Sequence, residues 1–545
     1  MTLPNHELET WLQEMALFVD KGEDPHPEHL SHVLENPDAI FDVLDSLILL
    51  DDSAAEERRS YYSACIFAID LCVAQLQAAR EAGSKGATHR LTQFMDAMAR
   101  AMHTGPQTLS FWLPVLNAFY EVHAELSEEL REAYMHLANQ EEDFTPVDEF
   151  AHLNAIREMI LEMSELSSFE IAEQFFAQSY AMPEDFFTDL VADLYSIDEG
   201  HEIALLTLLH PKPEVRAVVV DALDYLMPNL LLSSTALGRL QVIRSWYPEA
   251  FHPHFDAWIR IQRKKGVVFP APRAPLPFEI RATEIDGSGA QGIFVHLKVP
   301  RANRLCGVLL KLGVGLKDVW LTPPIAARDV KRYYQDAFDE TVMLRTVDTE
   351  YLVRMVNHFL ADGLQRGETA GLHLLELQEA LGVDFRPQFM DIEELMQDRA
   401  VRISPFTQDT LQQALKRTAT WTRTRPFTES WYIESAKIDR LVNRCCSFVE
   451  GVKVCRFEEA KEEVLAQVFE HDRKRWMFHF FWVALWFEAG HRRGETAAQD
   501  SFLVAWAIYN GMPLASIPVM DEICHQTVAN SMETMEERRT HLHRE

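Results

Sequence analysis

The stretch from His210 to Leu226 reads HPKPEVRAVVVDALDYL and decides the fold class of this chain. Pro213 suits the first turn of a helix, because a proline lacks the backbone N–H that would have no partner there. The apolar residues that follow recur at three- and four-residue spacing, which places them on one helical face: Val215, Val218, Val219, Ala222, Leu223 and Leu226. Asp221 and Asp224 fall at the edge of that face, so we predict a helix that packs one side against a neighbour.

The segment before Pro213 predicts a short helix over residues 202–209 and a turn, so that two helices form a pair. This pair, with its Pro-x-Val-Arg start, resembles one unit of the HEAT-type helical repeat, and the resemblance covers about residues 165–265. Prolines 183, 213 and 248 lie 30 and 35 residues apart, near the length of a solenoid repeat. The resemblance implies an α-solenoid, although an irregular helical bundle has the same periodicity.

Changes in composition and in hydrophobic period divide the chain further. Helical spacing runs through an acidic region at 1–150 and the HEAT-like region at 151–268, and a proline-rich linker follows at 269–277. Apolar and polar residues alternate over 278–322, which predicts a small antiparallel β-meander. Helical spacing returns over 323–545 as a C-terminal helical domain. The predicted fold class is mostly α, with an α-solenoid N-terminal half, a small antiparallel β-meander and a C-terminal helical domain.

One segment of the C-terminal domain is apolar on every side. Residues 473–487 read RKRWMFHFFWVALWF, which is typical of a buried central helix rather than a surface helix. The segment is shorter than the roughly twenty residues that cross a bilayer. The uncharged stretches 101–120 and 501–520 are interrupted by glycine, proline and asparagine, so we predict no membrane span.

The net charge is strongly acidic and unevenly distributed. Of the net −33, residues 1–200 carry −30, whereas residues 251–350 carry +4. This distribution gives no basic footprint for a nucleic acid across a whole domain. An acidic surface attracts basic partners by an interaction that weakens with salt, so we expect a protein partner with a basic surface.

Cysteine usage and the N-terminus favour a cytoplasmic protein. Seven cysteines without a Cys-x-x-Cys pair are typical of a reducing compartment, and the first residues lack the cationic and apolar regions of a signal peptide. Cys445 and Cys446 are neighbours in a predicted helix, where their side chains diverge. We therefore expect two small buried residues there rather than metal ligands.

The motifs of common enzyme classes are missing or lack their context. The chain contains no Gly-x-Ser-x-Gly, His-Glu-x-x-His or P-loop sequence. Gly287-Ser-Gly289-Ala-Gln-Gly292 matches the dinucleotide-binding pattern, but it leads into a predicted strand instead of a helix. We therefore predict a hairpin loop in which glycines adopt positive φ, and we expect no cofactor.

Two histidine patterns suggest metal ligands only superficially. His26, His29 and His32 are three residues apart, a spacing that does not converge three imidazoles on one helix, and no further ligand is evident. Glu149 and His152 form a single Glu-x-x-His, whereas di-iron bundles need two such motifs and two more glutamates. We therefore predict no metal site.

Stacked helix pairs present long surfaces that bind macromolecules, so the sequence favours a non-enzymatic scaffold or adaptor that binds a protein partner. One alternative stays open, an enzyme of unknown reaction with its site near the β-meander. Its candidate groups are His296, Lys317 and Asp318, with Gly313 and Gly315 allowing close approach of a substrate.

A second alternative is nucleic-acid binding through residues 416–425. Arg417, Arg423 and Arg425 surround Trp421 in this segment, and cations beside an exposed aromatic ring can track a phosphate backbone while a base stacks on the ring. The surrounding chain is not basic, so a solvated connector is the commoner outcome for such a segment.

Overall fold

The chain folds into two compact units, Met1–Leu226 and Met227–Glu545, called unit 1 and unit 2 below. The boundary falls inside the predicted HEAT-like region 151–268, and the finer predicted domain limits stay predictions. A mostly helical fold with a small antiparallel sheet is confirmed. The computed structural model describes residues 6–21, 25, 30, 36, 38–81, 83–142, 151–271, 275–299, 302–336, 342–403, 407–423, 431–449, 452–490 and 496–542.

Unit 1 is helical throughout its described residues, apart from turns. Side-chain caps explain several helix starts, since Ser84 accepts a hydrogen bond from the Ala87 N–H and Ser167 forms a capping box with Glu170. The helices are α1 (His6–Lys21), α2 (Ala39–Leu47), α3 (Asp52–Glu57), α4 (Arg59–Glu81), α5 (Lys85–Thr104), α6 (Leu109–Glu121), α7 (Glu128–Glu142), α8 (Ala151–Glu162), α9 (Ser168–Gln178), α10 (Phe186–Ser196), α11 (His201–Leu206) and α12 (Pro213–Leu226).

The centre of unit 1 is α4, which contacts α1, α2, α5 and α6. Small and apolar side chains on its inner face are fully buried, among them Cys65, Ile69 and Val73. Within the described part of the chain, α4 is also the helix that is long and apolar enough to cross a membrane, by length and composition alone. Core helices meet the same criterion, so this is weak evidence for a span.

Asp70 of α4 is a partly buried carboxyl group whose pKa is raised to about 7 by burial and by the negative charge of Glu121. An unfolded chain releases the same proton near pH 4. Because the folded state keeps its proton longer, stability falls as the pH rises from about 4 to about 7. We expect Asp70→Asn, which keeps the shape without the charge, to raise the free energy of unfolding of unit 1 by roughly 2–4 kcal/mol at pH 8.

Urea denaturation followed by circular dichroism checks the Asp70 prediction. The gain should largely disappear at about pH 4, where the folded state holds the proton and the carboxyl group of the unfolded chain is only about half ionised. Asp45→Asn, at an exposed position of α2, is the matched control and should show no such pH dependence. If Asp70→Asn is no more stable than wild type at pH 8, the prediction is wrong, because burial then does not raise the pKa of the Asp70 carboxyl group.

The stretch from His210 to Leu226 forms the predicted turn and helix. Its inner face is slightly rotated from the prediction, because Val220 is buried while Val218 and Leu226 are partly exposed. The turn is held by side chains, since Arg216 Nη1 donates to the carbonyl oxygens of His210 at 2.9 Å and Pro211 at 2.8 Å. These hydrogen bonds fix the angle at which α12 leaves α11.

Unit 2 places a five-stranded sheet among helices. Its helices are α13 (Ser234–Trp246), α14 (His252–Lys264), α15 (Ala327–Asp336), α16 (Thr349–Leu364), α17 (Leu372–Leu381), α18 (Ile392–Arg402), α19 (Gln408–Thr418), α20 (Ala436–Arg444), α21 (Phe457–Val464), α22 (Arg473–Glu488), α23 (Thr496–Tyr509) and α24 (Pro518–Leu542). Its strands are β1 (Phe278–Thr283), β2 (Ala290–Val299), β3 (Ala302–Lys311), β4 (Gly315–Leu321), β5 (Leu344–Thr346), β6 (Cys446–Val449) and β7 (Val452–Cys455).

The antiparallel meander over 278–322 is confirmed, and the sheet has the order β4-β3-β2-β1-β5. Alternate residues of β2 point to the core, and Ile293, Val295 and Leu297 are fully buried. The edge strand β5 pairs with β1 and lies outside the predicted meander. A three-residue strand is too short to show a period of two, which explains why the sequence pattern missed it.

The glycine-rich segment is a hairpin loop, as predicted, because it connects β1 to β2. Gly289 has a φ of +77°, and a Cβ atom at this position would lie 2.6 Å from Leu312. The carbonyl oxygen of Gly287 accepts a hydrogen bond from Arg475 Nη2 at 2.8 Å. The loop is thus fixed to α22 rather than shaped for a pyrophosphate.

Helix α22 is the central helix of unit 2, as its uniform apolar sequence predicts. Eleven of its sixteen residues are buried. Its Trp482 donates to the hydroxyl oxygen of Tyr351 at 3.0 Å, and the Tyr351 hydroxyl donates in turn to Gln291 Oε1 at 2.7 Å. This chain of hydrogen bonds joins α22, α16 and β2, so the sheet and the C-terminal helices form one core.

Candidate functional site

The net negative charge of the chain belongs almost entirely to unit 1. Its sequence has 43 aspartates and glutamates against 11 lysines and arginines, a net charge of −32. The sequence of unit 2 has 41 against 40, a net charge of −1. The division of net charge therefore coincides with the division of the fold, and the surface of unit 1 is the candidate for binding a basic partner.

The outer side of α8 and of the turn after it combines acidic with exposed apolar side chains. The inner side carries the buried Ile160 and contacts α10 and the 3-10 turn Asp198–Gly200. On the outer side, Met159, Leu161 and Leu166 are 37%, 50% and 40% exposed. With three exposed glutamates they form a surface that we call the α8 face: Glu158, Met159, Leu161, Glu162, Glu165 and Leu166.

The α8 face keeps its negative charge because the nearby arginine has another partner. Residues 151–200 contain eleven acids and a single basic residue, Arg157. Arg157 Nε lies 3.1 Å from Glu199 Oε2, and His152 Nε2 lies 3.3 Å from Asp193 Oδ1. Among the described residues, no ion pair involves the glutamates of the α8 face. Three carboxylates therefore remain available to cations of a partner.

The chemistry of the α8 face suits a basic amphipathic segment. Covering three half-exposed apolar side chains gains about 2–4 kcal/mol, before the entropy of association is subtracted. Each exposed ion pair adds about 0.2–1 kcal/mol. For a basic segment, the apolar contacts would thus supply at least as much affinity as the charges, while the charges would favour basic over acidic segments.

Elsewhere in unit 1 there is a slight surface depression that encloses almost no volume. Pockets for small molecules usually measure about 300–1,000 Å³. The hydroxyl groups that line it already donate, Tyr134 to the Gln178 carbonyl at 2.9 Å and Tyr180 to the Ala124 carbonyl at 3.2 Å. Its lining is mostly apolar: Leu113, Leu116, Leu126, Tyr134, Ala177, Gln178, Tyr180 and Ala181. The depression is too small for a ligand, and the tyrosine hydroxyl groups that line it already donate hydrogen bonds within the protein, so it is not our candidate site.

The catalytic candidates of the β-meander are not brought together. His296 lies opposite Leu305 of β3 and Asp318 lies opposite Leu309, so the two side chains share a face of the sheet. Four residues along β3 separate their positions by about 13 Å. His296 Nε2 is hydrogen-bonded to Asn303 Oδ1 at 2.8 Å, and Lys317 is exposed at a β-bulge. An enzymatic role of these residues stays a prediction that this geometry does not favour.

The two glycines expected to admit a substrate have structural roles instead. Gly313 and Gly315 adopt φ values of +77° and +103° in the turn between β3 and β4. A Cβ atom on Gly315 would lie 2.8 Å from the backbone of Gly363 in α16. Gly315 thus allows a close approach of sheet and helix rather than of a substrate.

The basic and aromatic candidates near 416–425 are engaged inside unit 2. Arg417 donates from Nε and Nη2 to the Asp500 carboxylate, at 2.8 and 2.6 Å. Arg423 donates from the same two nitrogens to the Glu522 carboxylate, at 2.8 and 2.7 Å. The Trp421 ring packs against the rings of Trp431 and Phe487. Arg425 lies outside the described residues. Nucleic-acid binding stays a prediction, with two of its cations already neutralised by carboxylates.

The metal candidates are only partly covered by the structure. His26, His29, His32 and Glu149 lie outside the described residues, and His152 contacts Asp193. Within the described ranges, no group of three or more histidine, cysteine, aspartate or glutamate side chains could hold a metal ion.

The expectation for Cys445 and Cys446 is wrong for the second residue. Helix α20 ends at Arg444, and Cys446 begins β6, where it is joined by a disulfide to Cys455 of β7. Cys445 is buried, as predicted. The signal that could have revealed the pair is its symmetry, because Cys446 and Cys455 are equidistant from Glu450-Gly451, a two-residue turn sequence.

Two parts of the chain match models of known protein families. Residues 183–266 match the model described as the Y4lR second domain, and residues 393–532 match the Y4lR C-terminal helical domain. Neither is a HEAT-repeat model, so of the HEAT resemblance only the helical character of the region is supported. The second match agrees with the helices from α18 to α24.

One curated relative is similar over much of its length. The chain is 24% identical over 359 residues to "Uncharacterized protein y4lR" of Sinorhizobium fredii (strain NBRC 101917 / NGR234). The match covers 64% of this chain and 66% of the relative, just under two thirds of the relative's own length. No solved structure matches the chain.

Proposed function

We propose that this chain is a non-enzymatic scaffold or adaptor whose unit 1 binds a basic segment of a protein partner through the α8 face. The observation that carries this proposal is the coincidence of charge and fold, since unit 1 holds −32 of the net −33. A charge that served only solubility would not need to be confined to one unit. The exposed Met159, Leu161 and Leu166 give the α8 face the apolar contacts that charge alone lacks.

The helical architecture supports the same proposal. We propose that α11 and α12, with the Pro213 turn, form a HEAT-like helix pair whose role is to hold the outer surfaces of neighbouring helices in a fixed arrangement. Arrays of such pairs present extended binding surfaces. A partner recognised by charge and a few apolar contacts binds reversibly, as an adaptor requires.

Fluorescence anisotropy with a defined peptide tests the proposal. The probe is a labelled amphipathic peptide of leucine and lysine of about 18 residues, with the leucines on one helical face. We expect binding that weakens steeply as salt rises from about 50 to about 500 mM, because exposed charges are screened over about 10 Å at 0.1 M salt. The control peptide has the same composition in scrambled order, which keeps the charge but disperses the leucines.

The comparison of the two peptides decides the outcome. Tighter binding of the amphipathic peptide at every salt concentration would support a surface with both charge and apolar contacts. Equal affinity for the two peptides would contradict the apolar contribution, because binding by charge alone does not depend on the positions of the leucines. Binding that does not depend on salt would contradict the acidic attraction.

A further inference from the structure

The β6–β7 hairpin sets Cys446 directly opposite Cys455, with 3.8 Å between their Cα atoms and a disulfide between their sulfurs. This two-stranded sheet is separate from the five-stranded sheet of unit 2. The hairpin joins α20 to α21, and both of these helices contact α24. The register of the two strands therefore places the two sulfurs within bonding range of each other.

The other five cysteines lack this accessibility. All five are buried thiols, and burial raises the pKa of Cys65, Cys72 and Cys524 to about 12. A buried thiol with a raised pKa forms little thiolate, which is the reactive species. Cys446 and Cys455 are instead partly exposed at the surface of the hairpin. Thiol chemistry in this chain is thus confined to one pair.

We propose that Cys446 and Cys455 form a reversible thiol–disulfide site that exchanges with a small disulfide such as glutathione disulfide. In oxidation, the thiolate of one cysteine attacks glutathione disulfide, which forms a mixed disulfide and releases one glutathione thiolate. The thiolate of the second cysteine then displaces the second glutathione and closes the Cys446–Cys455 bond. Two thiols are oxidised, one disulfide is reduced to two thiols, and two protons pass to the released thiolates.

The consequence of the exchange is local to the hairpin. An isolated two-stranded hairpin is marginally stable in water. A cross-link between its two strands restricts their separation, and its reduction removes that restraint. The core of unit 2 is built around α22 and the five-stranded sheet, to which neither cysteine contributes. Reduction should therefore loosen β6 and β7 while leaving the rest of unit 2 folded. A reversible pair is also compatible with the expected reducing cytoplasm.

The test equilibrates the purified full chain in glutathione buffers that run from reducing to oxidising. Free thiols are then alkylated under denaturing conditions, and the peptides are mapped by mass spectrometry. We expect all seven cysteines to be alkylated at the reducing end and five at the oxidising end, with Cys446 and Cys455 linked to each other. Returning the sample to excess glutathione should restore seven. Backbone amides of β6 and β7 should exchange hydrogen faster in the reduced state.

Two variants keep the result interpretable. Cys446→Ser should leave six alkylated cysteines in reducing buffer and no intramolecular disulfide in oxidising buffer, where Cys455 can form only a mixed disulfide with glutathione. The matched Cys445→Ser should still form the Cys446–Cys455 disulfide, because Cys445 lies outside the pair. The proposal is overturned if wild-type protein keeps seven thiols in excess glutathione disulfide. It is equally overturned if the bond resists excess glutathione in the folded chain, or if the mapped disulfide contains Cys445.

Discussion

Replacing Arg417 by alanine should lower the free energy of unfolding of unit 2 by about 2–3 kcal/mol. Asp500, its partner, is only 4% exposed, and Arg417 supplies two hydrogen bonds to the carboxylate. Removing one member of a fully buried ion pair costs about 3–5 kcal/mol, because the remaining charge has no partner. Arg417 is itself 45% exposed, so water screens part of that cost.

Arg423→Ala is the matched control for Arg417→Ala. Arg423 is also bonded to a carboxylate, that of Glu522, but its own side chain is 66% exposed. We expect a much smaller loss of stability from this variant. Adding Asp500→Asn to Arg417→Ala should recover most of the lost stability, because the amide carries no charge to leave unpaired.

Urea denaturation of the purified chain and its variants measures these differences. If Arg417 instead binds nucleic acid, we expect Arg417→Ala to leave the free energy of unfolding nearly unchanged and to weaken binding to a single-stranded oligonucleotide. Stability of Arg417→Ala equal to that of Arg423→Ala would therefore contradict the structural role of the Arg417–Asp500 pair.

Local patterns were sufficient for much of the fold. The helix after Pro213 follows from the spacing of its valines and leucines, and α22 follows from a run that is apolar on every side. The strands β1 to β4 follow from alternation, since Ile293, Val295 and Leu297 face the core. Each of these signals lies within one segment, so no knowledge of distant partners is needed.

Features that depend on distant partners could not be predicted in the same way. Arg417 pairs with a carboxylate 83 residues away, so its sequence neighbours, which suggested an exposed basic segment, were uninformative. Strand β5 owes its existence to pairing with β1 rather than to its three residues. The Cys446–Cys455 bond depends on a hairpin register that the adjacent Cys445 obscured, because the pattern was interpreted as helical.

The candidate site was predictable in character but not in position. The excess of acidic residues near the N-terminus indicated a surface for basic partners, but not the helix that carries it. Met159 and Leu161 fit the helical spacing of a core as well as that of a surface. Only the burial of Ile160 between them shows which side of α8 faces outward. The boundary of the acidic unit at Leu226 likewise required the fold.

Reversing the charge of the α8 face should weaken binding of the leucine–lysine peptide about thirtyfold at low salt. The variant is Glu158→Lys with Glu162→Lys and Glu165→Lys, three exposed positions. Each change removes an attraction of about 0.2–1 kcal/mol and adds a repulsion of similar size. Together they should cost about 2 kcal/mol of binding free energy, which corresponds to about thirtyfold. Lysine is as good a helix former as glutamate, so α8 should remain intact.

The matched control carries the same change in net charge elsewhere on unit 1. Glu14→Lys, Asp45→Lys and Glu56→Lys are exposed positions on α1, α2 and α3. A diffuse acidic field responds to total charge, whereas a docking surface responds to where the charge lies. The control should therefore weaken binding only slightly, and circular dichroism should show both variants to be folded.

The most direct test of the central claim is a side-by-side anisotropy titration of the peptide with wild type, the α8-face variant and the control at about 50 mM salt. We expect the α8-face variant to lose about thirtyfold in affinity and the control to lose about threefold or less. Equal losses in the two variants would contradict the claim that the α8 face is the site where unit 1 binds a basic partner.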